Sequence, residues 1–261
     1  MTDKTRLDIL LVESGLAPTR EKARAFIMAG EVLVNGQMID KAGTLIKADA
    51  EITLKSRSRF VSRGGEKLDA AFEAFPISVE GKVCADVGAS TGGFTDCMLQ
   101  RGAAKVYAID VGYGQIALPL RQDPRVILYE RTNARHLETL PEQVSFVSID
   151  ASFISLTLLL PAVRGWLLPA HDVVPLIKPQ FEAGKGAVGK GGVVRDPKIH
   201  RRVLFDVCEF AQNIGFYVNS LIISPLKGTA GNIEFLAWLS SRPIENPKPL
   251  DQLIEAAIQF H

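Results

Sequence analysis

The segment LIKPQFEAGKGAVGKGG, residues 176–192, holds two lysines that could each carry chemistry. Read from Gly184, it spells G-x-x-x-x-G-K and ends at Lys190, most of the loop that wraps nucleoside triphosphate phosphates. That loop needs a Ser or Thr hydroxyl after its lysine, and Gly191 stands there. It also needs a strand running directly into it, and Pro179 intervenes. Read from its start, the segment is an apolar run that delivers Lys178 and stops at Pro179, which blocks further regular pairing. A lysine flanked by acids can be desolvated and tuned to accept a proton, which suits activation of an unreactive hydroxyl.

Candidate partners for Lys178 sit at other element ends. Asp150 closes the apolar run VSFVSID, Glu234 opens NIEFLAWLS, and Lys67 lies in VSRGGEKL on a short helix. Two lysines and two carboxylates could converge at one pocket mouth. Each also has a plain role: helix cap for Asp150, solvated charge for the others.

A second group of residues points to a ligand. The run DVGASTGGFT, Asp86 to Thr95, follows a strand, and Gly88, Gly92 and Gly93 let backbone approach a ligand. Ala89 and Ser90 break the dinucleotide fingerprint. An acid before the first glycine suits a cationic amine rather than a pyrophosphate. Asp110 ends the next strand, where a carboxylate can accept from ribose hydroxyls. A nucleoside with an amino-acid tail satisfies both, which points to S-adenosylmethionine. The alternative is a tight structural turn with Asp110 as a helix cap.

These residues need a scaffold. From residue 64 on, apolar runs at 83–88, 105–112, 125–129, 144–150, 172–178, 215–224 and 232–240 alternate with helical segments at 93–102, 115–121, 155–168 and 197–213. Such alternation builds a mostly parallel sheet covered on both faces, and ligands bind beyond its carboxyl strand ends. The last two runs lack an intervening helix, so that pair is expected to be antiparallel. The fold class is α/β, a Rossmann-like seven-stranded sheet over residues 64–243, with a C-terminal tail at 244–261.

The first 56 residues read differently. Leu7, Leu10 and Leu11 show helical spacing, and Thr19 caps a second helix with an apolar face of Ala23, Phe26 and Ile27, ended by Gly30. Asn35-Gly36 marks a two-residue hairpin, and AEITLK a further strand. This is a small α+β unit. Residues 1–63 hold eleven Lys/Arg against eight Asp/Glu, and residues 57–63 form a basic linker. Its arginines, Arg57, Arg59 and Arg63, form a phosphate-attracting strip.

Bulk properties exclude other classes. The chain has 261 residues, 47% hydrophobic and 23% charged, with a net charge of +1. No global field draws it to nucleic acid or membrane. Cys84, Cys97 and Cys208 show no pairing pattern, which fits a reducing, cytoplasmic compartment. The four histidines are scattered, so no metal site is expected. Charges interrupt the first residues too early for a signal peptide. The apolar stretch 156–170 holds Arg164 and two prolines and is too short to span a bilayer.

Several segments together carry a resemblance. RLDILLVESGLAPTREKARAFIMAGEVLVNGQMI resembles the RNA-binding domain of a ribosomal small-subunit protein, a domain also found on pseudouridine synthases and tyrosyl-tRNA synthetases. VSRGGEKL, DVGASTGGFT, AIDVGYGQ, ERTNAR, LIKPQFE, GKGGVVRDP and GNIEFL are similar to the TlyA family, ribosomal RNA 2′-O-methyltransferases with an FtsJ-type domain that are also described as haemolysins. The resemblance implies a Lys-Asp-Lys-Glu tetrad at Lys67, Asp150, Lys178 and Glu234. It implies S-adenosylmethionine near Asp86, Gly88, Ser90, Gly92, Gly93 and Asp110, with Asn133 toward the adenine. It implies ribosomal RNA or ribosomal subunits as partner, with the ribose of a cytidine as acceptor. Arg6, Arg20, Lys22 and Arg24 are the expected phosphate contacts of the first domain. A membrane-active haemolysin and a catalytically silent RNA-binding protein are the competing readings.

Overall fold

The computed structural model describes residues 4–47, 49–54, 59–184, 186–189 and 191–259. The chain divides into two compact units, Met1–Ser58 and Arg59–His261.

In the first unit, strand β1 (Lys4–Arg6) runs into helix α1 (Leu7–Glu13), followed by α2 (Arg20–Met28). Thr19 is extended, and its hydroxyl accepts the Lys22 backbone N–H at 3.2 Å, the expected cap. Strands β2 (Val32–Val34) and β3 (Gln37–Met38) pair antiparallel across Asn35-Gly36. Both turn residues have positive φ, 49° and 77°, as the turn's twist demands. Strand β4 (Leu45–Lys47) pairs with β1, and β5 (Ile52–Leu54) with β2. Leu7, Leu11, Ala23, Ile27 and Val32 are fully buried and form the unit's core.

The second unit opens with α3 (Gly64–Ala74), then β6 (Val83–Val87), α4 (Gly93–Gln100), β7 (Lys105–Ile109), α5 (Leu118–Arg121) and β8 (Val126–Tyr129). It continues with β9 (Val144–Ile149), α6 (Leu156–Trp166), β10 (Leu167–Ile177), α7 (Pro179–Glu182), α8 (Pro197–Asn213), β11 (Tyr217–Ile223), β12 (Phe235–Ser240) and α9 (Leu250–Ile258). The sheet order is β11-β12-β10-β9-β6-β7-β8. Strand β12 runs antiparallel to both its neighbours, and the other pairs are parallel. Chain order reverses beside β6, the switch point where ligands gather.

Each face of the sheet is covered. One core holds Val147, Ile149, Leu160 and Trp166, and the other holds Phe72, Phe146, Met98 and Leu236. Strand β10 starts five residues before the expected 172, with a register shift between Leu167 and Asp172. The segment from 244 is no appendage. Helix α9 lies against α8 and β11, and its Leu253, Ile254 and Ala257 are buried in the main core. The three cysteines are buried and unbridged, and burial pushes their thiols up to about 12. Among the described residues no helix is long and apolar enough to cross a membrane.

Candidate active site

Strand β10 ends at Ile177, and Pro179, lacking an N–H, opens the single turn of α7. Lys178 is held at that junction with 8% of its surface exposed. Its Nζ lies 2.7 Å from Asp150 Oδ1 and donates to Ser152 Oγ at 2.9 Å. Asp150 stands immediately beyond β9, so two adjacent parallel strands deliver the pair.

The second pair is assembled from farther apart. Lys67 on α3 places its Nζ 2.6 Å from Glu234 Oε2. Glu234, 2% exposed, precedes β12, and its Oε1 accepts from Gln180 Nε2 at 3.0 Å. Gln180 sits on the turn that begins beside Lys178, so one rigid element touches both pairs. The structure thus brings together all four residues of the expected tetrad, as two charge-assisted pairs.

The glycine loop is fixed by backbone contacts. Gly88 has φ +82°, and a Cβ there would lie 2.6 Å from the Asp150 carbonyl oxygen. Asp110 accepts the Ser90 N–H and the Gly112 N–H, each at 2.7 Å. Asn133 accepts from Arg135 N–H at 3.0 Å. Beyond the carboxyl ends of β6, β7 and β9 lies a cavity of about 1110 Å³, whose walls include Gly88, Ser90, Asp110, Asn133, Asp150 and Gln180. A smaller cavity of about 380 Å³ takes in Arg63, Lys67, Gly93 and Lys227, and shares Gly88, Ser90 and Asp150 with the first. Asp150 therefore faces both.

Asp86 requires a correction. It was expected to meet a cationic amine, but it is fully buried and lines neither cavity. It lies inside β6, one residue short of the strand end, directly opposite Ser148 on β9. Ser148 Oγ donates to Oδ1 at 3.0 Å, and Thr95 Oγ1 to Oδ2 at 2.7 Å. Burial pushes the carboxyl up to about 7, which the two hydroxyls only partly oppose. Asp86 fastens α4 to the sheet. Gly92 also lines neither cavity; its φ is +95°, and a Cβ would meet the Leu120 side chain at 2.3 Å. It serves packing of the loop.

The expected phosphate contacts fall into two groups. Arg6, Arg20 and Arg24 all donate through Nε to the buried carboxylate of Asp8, at 3.0, 3.0 and 3.1 Å, and about half of each side chain stays exposed. Lys22 is exposed beside them on α2. Arg59 binds Asp69 at 2.7 Å and lies over the Phe60 ring. Arg63 lines the smaller cavity. Arg57 and Lys190 lie outside the described residues.

Sequence reasoning missed Ser152, Gln180 and Lys227. The first two flank recognised residues, inside ASFIS and KPQFE, but their roles depend on partners far away in the chain. It also missed Phe153, 90% exposed at φ 63°, whose ring lies 4.9 Å from that of Phe181. Among the described residues no cluster of side chains could hold a metal ion.

Residues 60–241 match the FtsJ-like methyltransferase family, and residues 5–52 match the S4 domain. The chain is 52% identical to YqxC of Bacillus subtilis, over 90% of this chain and 85% of that one. It is 46% identical to the 16S/23S rRNA (cytidine-2′-O)-methyltransferase TlyA of Mycobacterium tuberculosis, over 99% of this chain and 98% of that one. A solved structure from Streptococcus thermophilus that bears the hemolysin name superposes with a TM-score of 0.74 at 46% identity, covering 99% of this chain and 97% of that one.

Proposed function

Because the chain belongs to the TlyA family of FtsJ-like methyltransferases and carries an S4 domain, we propose that it methylates the ribose 2′-oxygen of a cytidine in ribosomal RNA, with S-adenosylmethionine as donor. The observation that carries this reading is Lys178 paired with Asp150 at 2.7 Å, where the acid faces both cavities.

The residues present fit the cofactor. The larger cavity lies at the carboxyl strand ends and sets the polar Ser90, Asp110 and Asn133 beside the apolar Val111 and Leu159, the mixture that a nucleoside with a charged tail requires. Bound there, the cofactor supplies a methyl group on a positively charged sulfur. In each turnover Lys178 passes a proton to Asp150 and takes the 2′-hydroxyl proton as that oxygen takes the methyl carbon. Asp150 receives the proton from Lys178 and releases it through its cavity-facing side. Lys67, held by Glu234, faces the smaller cavity and steadies the ribose oxygens there. A base placed this way contributes on the order of 10²–10⁴-fold.

Arg6, Arg20, Lys22 and Arg24 hold RNA phosphates, together with Arg57, Arg59 and Arg63. Such contacts fix position and shape and do not read sequence. The target nucleotide is turned out of its helix so that its ribose reaches Lys178. Large-subunit RNA is the substrate in this reading, and the transfer assay below asks the same of small-subunit RNA.

The test is transfer of tritiated methyl groups to separated ribosomal subunits from cells lacking the gene, with the site mapped by the alkali resistance of a 2′-O-methylated linkage. Wild-type protein labels the RNA, and Lys178→Met lowers the rate by about 10²–10⁴-fold while RNA binding persists. Absence of label from both subunits would sink the reading. Equal rates for wild type and variant would remove Lys178 from it.

A further inference from the structure

The smaller cavity carries more positive charge than proton transfer uses. Among the described residues, four ionisable side chains line it: Arg63, Lys67, Lys227 and Asp150. Lys67 is bound to Glu234, and Asp150 to Lys178. Arg63 and Lys227 are exposed and make no hydrogen bond or ion pair through their side chains among the described residues.

Fixed backbone carries both free cations. Lys227 belongs to the connection between β11 and β12. There Ser224 Oγ donates to the Leu226 carbonyl, and the Gly228 N–H donates to the Asn232 carbonyl, each at 2.8 Å. Gly228 is pressed so closely on Glu234 that a Cβ would overlap the carboxylate. Lys227 is therefore set beside the Lys67–Glu234 pair. Arg63 immediately precedes α3, where the Gly65 N–H donates to the Ser62 carbonyl at 3.1 Å. A Cβ on Gly93, the first residue of α4, would overlap the Ser62 hydroxyl and the Gly65 nitrogen. The two helix starts abut, and Gly64 and Gly93 put both positive ends in the cavity wall. Two free cations over a wall whose one carboxylate is already paired make an anion site.

The reaction at its edge names the anion. In RNA the 2′-oxygen and the 3′-phosphate hang on adjacent ribose carbons, whereas the 5′-phosphate leaves from the other side of the ring. We infer that the smaller cavity is a phosphodiester site, in which Arg63 and Lys227 clamp the phosphate on the 3′ side of the methylated ribose. The inference rests on the methyltransferase reading above. Arg63 offers a planar fork that fits two phosphate oxygens, and Lys227 a point charge. The clamp holds the 2′-oxygen in line with the methyl group, where a shift of about 1 Å can cost about 10²-fold in rate.

The test runs the tritiated-methyl assay as a single turnover on separated ribosomal subunits, beside filter binding of the same subunits. Lys227→Gln removes the charge, and Lys227→Arg keeps it. Lys227→Gln should lower the saturated rate about 10- to 100-fold with RNA affinity within about fivefold of wild type, while Lys227→Arg stays within about threefold in rate. Cytidine 3′-monophosphate should inhibit wild type more strongly than cytidine 5′-monophosphate, a preference that Lys227→Gln removes. A full rate in Lys227→Gln, a loss of affinity as large as the loss of rate, an equally slow Lys227→Arg, or no preference between the two nucleotides overturns the inference. If wild type labels neither subunit, the methyltransferase reading fails instead.

Discussion

Two aspartates vanish from solvent, one in each unit, and the protein treats them in opposite ways. Asp8 is surrounded by Arg6, Arg20 and Arg24. The Arg6 guanidinium, with Arg24 and Arg20, holds its carboxyl well below the usual carboxylate range, against the opposing effect of burial. Asp86 is given two hydroxyls and no cation, and burial pushes it up to about 7. The same residue type at the same exposure is held as an anion in one place and pushed toward protonation in the other. Burial alone does not set the charge state; the partners do. Asp8 gathers cations into a surface cluster, whereas Asp86 ties the glycine loop to the sheet.

The largest effect that would test this contrast is loss of the Asp8 charge. Asp8→Ala leaves three guanidiniums crowded around no anion, and should cost roughly 2–3 kcal/mol, discounted for the half-exposed arginines. Hydrogen exchange in residues 4–54 reads the loss, and added salt should restore part of it by screening. Unchanged protection would mean that Asp8 does not organise the cluster.

Asp86 gives the next effect, and its sign is opposite. Its raised value means that the native state keeps a proton that the unfolded chain has released. That contribution is full below about pH 4 and is lost as pH rises through about 7. For Asp8, with a lowered value, the contribution is present above about pH 4 and lost in acid. Asp86→Asn should cost about 1 kcal/mol at pH 6 and flatten stability between pH 4 and 7. The fluorescence of Trp166 and Trp238, both in the second unit, follows this unfolding. A slope that stays as steep as in wild type would place the titration elsewhere.

The smallest effect belongs to Ser148→Ala. It removes one of two hydroxyls from Asp86 and should cost at most about 1 kcal/mol, while extending the pH-sensitive window upward. No movement of that window would mean that Ser148 contributes packing alone.

Lys178 was legible because a β-branched apolar run ending in Lys-Pro, in a chain of alternating strands and helices, reads as a strand that stops there. The tetrad's remaining members were visible as residue types at element ends, and their pairing waited on the fold. The antiparallel final pair followed from a connection with no room for a helix. Strands β1 and β4, three residues each, are too short for alternation to register. Asp86 was misread for a related reason. A position one residue short of a strand end lies inside a sheet covered on both faces, and its partner Ser148 is 62 residues away. Gln180 carried no signal of its own, because an amide acquires a role only through what it touches.

Gly88 has a consequence for sequence variation. Its glycine runs against the end of β9 so closely that a methyl group would strike the Asp150 carbonyl. Gly191 and Gly192, by contrast, face open space and line neither cavity, so only their positive φ resists a side chain. In a library randomised at every glycine, position 88 should return glycine alone among active clones, while these two tolerate other residues at a modest backbone cost. Drift in this protein is therefore channelled: Gly191 and Gly192 are free to diversify, and the joint between the glycine turn and Asp150 is not.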